Sequence, residues 1–361
     1  MGTKLSAVTM KTLADTCGVS TTTVSNAYSK PDRLSSQLRE QILATAKELG
    51  YCGPSAAGRA LRSGKTDVCG YLMHRELAQA FSDPYSVIFL AGLCEGVERF
   101  GASVLLLRAP GDEETQTQLL QRAAIDCLVA AGTRLGSPIV QPLIQRGVRV
   151  VGTQIAADGD WVAINDAKAG RLIGKHLAKL GHLHVVVLGA GCDTDDVEEF
   201  VYSPDALDPR LREGTYESER IRGIWEKMPD AEIRIVLAPV YSRKSGRDAA
   251  AEVLDRPDRP TAIVALSDVL ALGVWDAAGE RGLVPGRDLS ISGFDDLPDS
   301  AFLGITTVSQ PIAEKGRLAG RLAMDPDYPQ RQITLPIQLV VRSSTGPAPT
   351  PVSTSLTKEK S

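Results

Sequence analysis

The stretch from residue 9 to 49 limits the fold more than any other part of this 361-residue chain. Its apolar residues recur at helical spacing in three short runs, which predicts helices over 9–17, 21–28 and 36–49. Leu13 and Cys17 share a face of the first, Val24 and Tyr28 of the second, and Leu38, Ile42, Ala46 and Leu49 of the third. Gly18-Val19-Ser20 separates the first two. Gly18 suits the left-handed position that ends a helix, and Ser20 suits the cap that starts the next. Two helices joined by a three-residue, glycine-containing turn make a helix-turn-helix. The second helix sends Thr21, Thr22, Ser25 and Asn26 outward. Short hydrogen-bonding side chains of this kind fit the floor of a DNA major groove. The competing reading is a small helical bundle with a threonine-rich solvated face.

Charge follows the same division. Residues 1–66 carry nine Lys and Arg against four Asp and Glu, a balance of +5 within a chain total of −4, which leaves −9 for the remainder. A basic head on an acidic body points to a polyanionic partner for the head alone. Lys4, Lys11 and Arg33 are expected to act mainly through phosphates. The chain is 43% hydrophobic and 23% charged, a globular composition long enough for two or three domains. No apolar run reaches the length of a membrane span, and residues 1–10 lack the hydrophobic core of an export signal, so a cytoplasmic chain without membrane contact is expected. Cysteines 17, 52, 69, 94, 127 and 192 are scattered without a Cys-x-x-Cys pair, which fits a reducing compartment and argues against metal ligation. No metal and no cofactor are expected.

A breaker cluster follows the third helix at Gly50-Tyr51-Cys52-Gly53-Pro54. The run 55–62 is helix-capable but too short to be stable alone in water, so it is either a plain linker or a segment that folds on binding. From residue 67 the pattern alternates. Strands are expected at 68–73, 103–107, 127–130 and 148–151, with helices over 85–100, 115–122 and 138–146 between them. A second set follows residues 161–164, with helices over 167–180, 217–227, 245–254 and 271–281 and strands at 185–188, 233–237, 262–266 and 290–293. Repeated β-α units call for parallel sheets covered on both faces. Two such sets imply two lobes with a cleft between them, and ligands of such sheets bind at the carboxyl ends of the strands. The expected fold class is a small all-α helix-turn-helix head plus an α/β two-lobed core of two parallel doubly wound sheets.

The run from Met10 to Leu61 resembles the head of the LacI family of bacterial repressors. The matching residues are Leu13-Ala14, Gly18-Val19-Ser20, Thr23-Val24-Ser25, Ser35, Arg39, Leu49-Gly50-Tyr51, Pro54, Arg59 and Leu61. The likeness extends to about Arg342. It implies a periplasmic-binding-protein-like core, a homodimer, and a near-palindromic double-stranded DNA operator. It also implies that Thr21, Thr22 and Asn26, beside Ser25, read base edges, and that Arg59 and Leu61 belong to a hinge whose leucine wedges into a minor-groove step. Two departures stand out. Cys52-Gly53 adds a residue before Pro54, and Gly58 replaces the usual alanine at a cost of about 1 kcal/mol in a helix.

The resemblance divides the chain into a head at 1–52, a hinge and linker at 53–66, a core at 67–345 and a disordered tail at 346–361. Lobe 1 is expected at 67–164 and 296–328, and lobe 2 at 165–295 and 329–345. It further implies that Arg220, Ser267 or Asp268, Asp295 and Gln310 approach a small-molecule effector, with Tyr241 stacking on it. Tyr85, Thr153 and Asp83 are first-lobe candidates. The acidic stretch 192–217 reads as a disordered loop, with a lid or a partner contact as alternatives. A sugar or polyol is the first choice of effector, and a nucleobase or nucleoside fits the same groups. A dinucleotide-binding enzyme is disfavoured, because Gly189-Ala190-Gly191 is followed by Thr194 and acids where a third glycine is needed. An exported sugar-binding protein would share the two lobes but not the basic head. The expected function is a DNA-binding transcriptional regulator, not an enzyme.

Overall fold

The computed structural model describes residues 8–54, 58, 60, 64–73, 77–108, 112–191, 196–203, 211 and 214–349. The chain divides into two compact units, Met1–Asp67 and Val68–Ser361. In the first, the predicted helices are α1 (Met10–Cys17), α2 (Thr21–Ser29) and α3 (Ser36–Leu49). Each starts on a hydroxyl cap: Thr9, Ser20 and Ser35 accept from the N–H groups of Thr12, Thr23 and Leu38. Gly18 and Gly50, at φ 66° and 71°, close α1 and α3. Leu13, Ala14, Val24, Ala27, Ile42 and Ala46 form the core, with Cys17, Tyr28, Leu38 and Leu49 partly buried around it. Arg39 Nε donates to the Ala27 carbonyl at 3.1 Å and ties α3 to α2. In the hinge, Gly58 and Ala60 have helical backbone. Arg59 and Leu61, and most of the run 55–62, lie outside the described residues, as does Lys4.

The second unit begins with β1 (Val68–Met73), α4 (Leu77–Ser82), α5 (Pro84–Glu98), β2 (Ser103–Arg108), α6 (Glu113–Arg122), β3 (Cys127–Ala130), α7 (Gln141–Gln145), β4 (Arg149–Gly152) and β5 (Asp160–Ala163), which make lobe 1. Lobe 2 follows with α8 (Asp166–Lys179), β6 (His184–Ala190), β7 (Glu198–Val201), α9 (Tyr216–Trp225), β8 (Glu232–Ala238), α10 (Arg243–Leu254), β9 (Ala262–Ala265), α11 (Asp268–Glu280), β10 (Ser290–Asp295), α12 (Pro298–Leu303) and β11 (Thr306–Ser309). The chain returns to lobe 1 for α13 (Ile312–Met324) and β12 (Gln332–Thr334), then ends in lobe 2 with β13 (Gln338–Val340).

The lobe 1 sheet has the order β12-β5-β4-β3-β1-β2, and the lobe 2 sheet β13-β11-β10-β9-β6-β8-β7. Inner strands such as β3 and β9 are buried along their whole length, as a sheet covered on both faces requires. No described helix is long and apolar enough to cross a membrane.

Glycines set the closest helix contacts. A Cβ on Gly92 of α5 would lie 2.0 Å from the Ala313 carbonyl oxygen, and one on Gly316 of α13 would lie 2.1 Å from that of Phe89. The same device joins α8 to α9, where a Cβ on Gly170 would meet the Arg220 carbonyl oxygen at 2.0 Å and one on Gly223 that of Ala167 at 2.2 Å. Backbones this close leave no slack between the helices.

Three expectations need correction. The crossings between lobes come later than the proposed 296 and 328. β11 pairs in register with β10, so residues 306–309 stay in lobe 2, and Gln332–Thr334 pairs with Trp161–Ala163 of β5 in lobe 1. The tail does not become disordered at residue 346. Gly346 exchanges hydrogen bonds with the Ser290 hydroxyl, and the Ala348 N–H donates to the Leu180 carbonyl, so the first tail residues are packed on lobe 2. Within the stretch 192–217, Glu198–Val201 is not loop but an edge strand antiparallel to β8, with Glu199 paired to Arg234 and Arg256.

Candidate functional site

On α2, Thr21 and Thr22 are exposed and Ser25 and Asn26 are half-buried, whereas Val24 and Ala27 are buried on the opposite side. Three hydroxyls around this helix are consumed by its own construction. Ser20 and Thr23 bond each other, and Ser29 back-bonds to the Ser25 carbonyl. Thr21, Thr22, Ser25 and Asn26 make no side-chain hydrogen bond among the described residues. They form one polar face with its donors and acceptors unspent. Lys11 and Arg33 are exposed in the same unit.

In the body, charged side chains from several elements converge where the lobes meet. Arg220 of α9 is 6% exposed. Its Nε donates to Asp166 Oδ1 of α8 at 2.8 Å, and its Nη1 donates to the Leu266 carbonyl at 2.7 Å. The guanidinium lies 4.3 Å from the ring centre of Phe294 and 5.1 Å from that of Tyr216. Burial opposes its charge, but Asp166 and Asp295 outweigh that and hold it firmly protonated. Asp295, at the end of β10, accepts from Gln310 Nε2 at 2.7 Å. Its φ of 117° is a conformation that costs an L residue about 1–3 kcal/mol, strain of the kind found where a side chain must be aimed. Burial pushes its carboxyl up to about 8, with the nearby Arg220 pulling the other way.

From lobe 1, Lys315 of α13 enters the same cluster at 6% exposure. Its Nζ donates to Tyr85 Oη of α5 at 3.4 Å. Burial pushes the Lys315 ammonium down to about 8, against the pull of Asp166. Burial, then Asp295, raises the Tyr85 phenol. Beside the cluster, a cavity of about 330 Å³ is lined by Gln154 and Ile164 of lobe 1 and by Asp166, Tyr216 and Glu219 of lobe 2. Both amide atoms of buried Gln154, and the Oε1 of Gln310, lack a hydrogen-bond partner among the described residues. Unspent buried polar atoms are costly, and Gln154 lines the cavity between the lobes.

The structure thus brings Arg220, Asp295, Gln310 and Tyr85 together. It gives the other candidates internal work. Asp268 is fully buried, with Oδ2 accepting from the Leu297 N–H and Oδ1 from the Thr307 hydroxyl, both at 2.8 Å. Burial pushes its carboxyl up to about 7. It ties the start of α11 to β11 and to the start of α12. Ser267 caps α11 through the Val269 N–H. Thr153 accepts from the Gly132 N–H at 3.2 Å. Asp83 caps α5 through the Tyr85 N–H and the Ser86 hydroxyl. Tyr241 lies in the apolar cluster of lobe 2, with its hydroxyl 3.2 Å from Glu217 Oε1, so its ring forms wall and not an open stacking face.

Sequence reasoning missed Lys315, Asp166 and Gln154. For Lys315 a signal existed: it interrupts the apolar stripe Ile312, Gly316, Ala319, Leu322 on the buried side of α13. Among the described residues, no cluster of His, Cys, Asp and Glu is arranged to hold a metal.

Residues 9–53 match the model of bacterial regulatory proteins of the lacI family, and residues 175–345 that of a periplasmic binding protein-like domain. The chain is 35% identical to the HTH-type transcriptional regulator Rv3575c of Mycobacterium tuberculosis, over 88% of this chain and 90% of that one. It is 29% identical to the ribose operon repressor of Escherichia coli, over 86% and 90% of the two chains. A solved LacI family regulator from Corynebacterium glutamicum aligns with a TM-score of 0.66 at 26% identity, covering 94% of this chain and 98% of that one. A helix-turn-helix head joined to a two-lobed, mostly parallel α/β body, together with these likenesses along nearly the whole chain, means that the protein belongs to the LacI family of bacterial transcriptional regulators.

Proposed function

We propose that this regulator is a cytoplasmic homodimeric repressor whose affinity for a near-palindromic operator is set by a hydroxyl-rich effector, a sugar or polyol, held between its lobes. The observation that carries this reading is the buried interlobe cluster. Gln154 and the Gln310 Oε1 leave hydrogen-bonding capacity unspent beside Arg220 and Asp295, and hydroxyl groups would fill it. The likeness to a ribose operon repressor supports a sugar. A nucleobase needs an open aromatic face, but Arg220 already covers Phe294 and Tyr216 and Tyr241 is part of the wall. Thr21, Thr22, Ser25 and Asn26 would read the operator. The effector acts by linkage: a ligand that prefers one arrangement of the lobes shifts DNA affinity by its differential binding and no more.

The test is a titration of the full chain against a duplex selected from random sequence, with sugars and polyols added at saturation. Operator affinity should change by about 5- to 150-fold with the effector. A ligand that raises the melting temperature yet leaves operator affinity unchanged would show that binding and DNA recognition are not coupled.

A further inference from the structure

The interlobe cluster holds a buried ammonium whose hydrogen-bonding capacity is largely unspent. Lys315 is 6% exposed, and its one hydrogen bond among the described residues is the long contact of 3.4 Å to Tyr85 Oη. An ammonium has three donors to satisfy. The nearby carboxylates are engaged elsewhere. Asp166 Oδ1 takes the Arg220 Nε proton at 2.8 Å, and Asp295 Oδ1 takes the Gln310 amide at 2.7 Å. The other cations nearby are answered within the protein: Arg220 is fixed by Asp166, the Leu266 carbonyl and two aromatic rings, and Arg171 and Arg222, which line the cavity, pair with Glu226 and Glu219. The lysine has not arrived there by chance flexibility, because α13 is locked against α5 through Gly92 and Gly316.

We infer that the effector carries an acidic group, a carboxylate or a phosphate monoester, which enters the cleft and pairs with the Lys315 ammonium. This rests on the cleft being the effector site. A buried charge without a partner is expensive, and a ligand anion removes that cost where water does so only in part. Burial holds Asp295 near 8 and Lys315 near 8, so at neutral pH the carboxyl is mostly neutral while the ammonium is mostly charged. Arg220 is paired with Asp166 at 2.8 Å, whereas Lys315 has no ion pair among the described residues. The unpartnered atoms of Gln310 and Gln154 stay available for hydroxyls. The ligand class is therefore a polyhydroxylated acid, such as a sugar acid or a sugar phosphate, in preference to its neutral parent.

The experiment uses calorimetry and thermal shift on the full chain with matched probes: glucose, ribose and myo-inositol against gluconate, glucuronate, glucose 6-phosphate and inorganic phosphate. At least one acid should bind about ten- to a hundredfold more tightly than its neutral parent. Lys315→Met should erase that preference, and Lys315→Arg should keep part of it. Lys315→Met removes a buried charge and conserves length, and its melting curve checks that it folds. Binding of the acid should weaken as pH rises past about 8, as Lys315 loses its proton beside Tyr85, Asp166, Arg220, Asp295 and the more distant Asp83. The inference is overturned if no acid in the set binds, if the neutral parents bind equally well, or if Lys315→Met leaves acid binding intact. Neutral sugars that bind and alter operator affinity regardless of Lys315 would sink the acidic group and leave the cleft reading standing. Acid binding that survives both Asp295→Asn and Gln310→Ala would sink the cleft reading itself.

Discussion

The exposed face of α2 and the interlobe cleft are the two surfaces we propose for recognition, yet they are made of opposite materials. On α2 the groups Thr21, Thr22, Ser25 and Asn26 are small, uncharged and at the surface, set within one nine-residue helix by the helical repeat alone. In the cleft the groups are charged and buried, and Asp166, Arg220, Asp295, Gln310 and Lys315 come from positions up to 149 residues apart. The first surface costs the protein nothing to display. The second must be held against desolvation, and the glycine-tight pairs α8–α9 and α5–α13 hold it. Changes in the cleft should therefore register in stability, with a sign set by the charge removed, and changes on α2 in discrimination.

The largest effect expected is that of Arg220→Ala. It leaves Asp166 buried and unpaired, and removes the guanidinium that sits on Phe294 and Tyr216. The body should lose about 3–5 kcal/mol of stability. Urea unfolding followed by tryptophan fluorescence reports the body alone, because Trp161, Trp225 and Trp275 all lie in it. A loss below about 1 kcal/mol, the scale of a surface ion pair, would mean that the pair is not a buried clamp.

Lys315→Met should move stability in the opposite direction, by on the order of 1–3 kcal/mol at pH 7. The sign follows from the lysine's displacement to about 8 from its usual value of 10.5. Between those values the unfolded chain binds more protons than the folded one, so the native protein grows more stable as pH rises through that window. Below about 8 both states are protonated and the penalty is fully present. Replacing the lysine removes the penalty, so the variant should lead the native protein at pH 7 and lose most of that lead by pH 10. An unchanged difference across that range would mean that the ammonium is not desolvated in the free protein.

The same contrast explains what was legible in the sequence. Head helices, caps and the polar face of α2 follow from residues within a few positions of one another: Ser20 before Thr23, Gly18 after Cys17, Val24 opposite Asn26. Alternating strands and helices in the body were legible for the same reason. The interlobe crossings were not, because the choice of sheet for Thr306–Ser309 is made by register against β10 and not by any local signal. Asp268 and Tyr241 sit at strand ends near the cleft, as their positions in the sequence suggested. Only tertiary contacts reveal that their polar atoms are turned to Leu297, Thr307 and Glu217. Lys315 was overlooked because a lone lysine on an amphipathic helix is ordinarily solvated, and the glycine spacings Gly92–Gly96 and Gly316–Gly320, which betray the close helix pairing, carry no charge signal.

The smallest effect on stability, and the sharpest test of the comparison, belongs to Asn26→Ala. The Asn26 carboxamide makes no hydrogen bond among the described residues, and the core positions of α2 are Val24 and Ala27, so folding should change by no more than about 0.5 kcal/mol. Its consequence should lie in specificity. A carboxamide that bonds one base edge distinguishes that base by about 1–3 kcal/mol. Competition between a selected operator and single-base variants should show discrimination lost at one or two positions and kept at the rest. Replacing exposed Lys11 or Arg33 should do the reverse, weakening every duplex alike and reducing the salt dependence of binding by about one counterion. If Asn26→Ala weakened all duplexes equally and left the pattern of preferences untouched, α2 would be docking on the backbone, and the contrast between a reading surface and a sensing cleft would have to be redrawn with the base contacts elsewhere in the head.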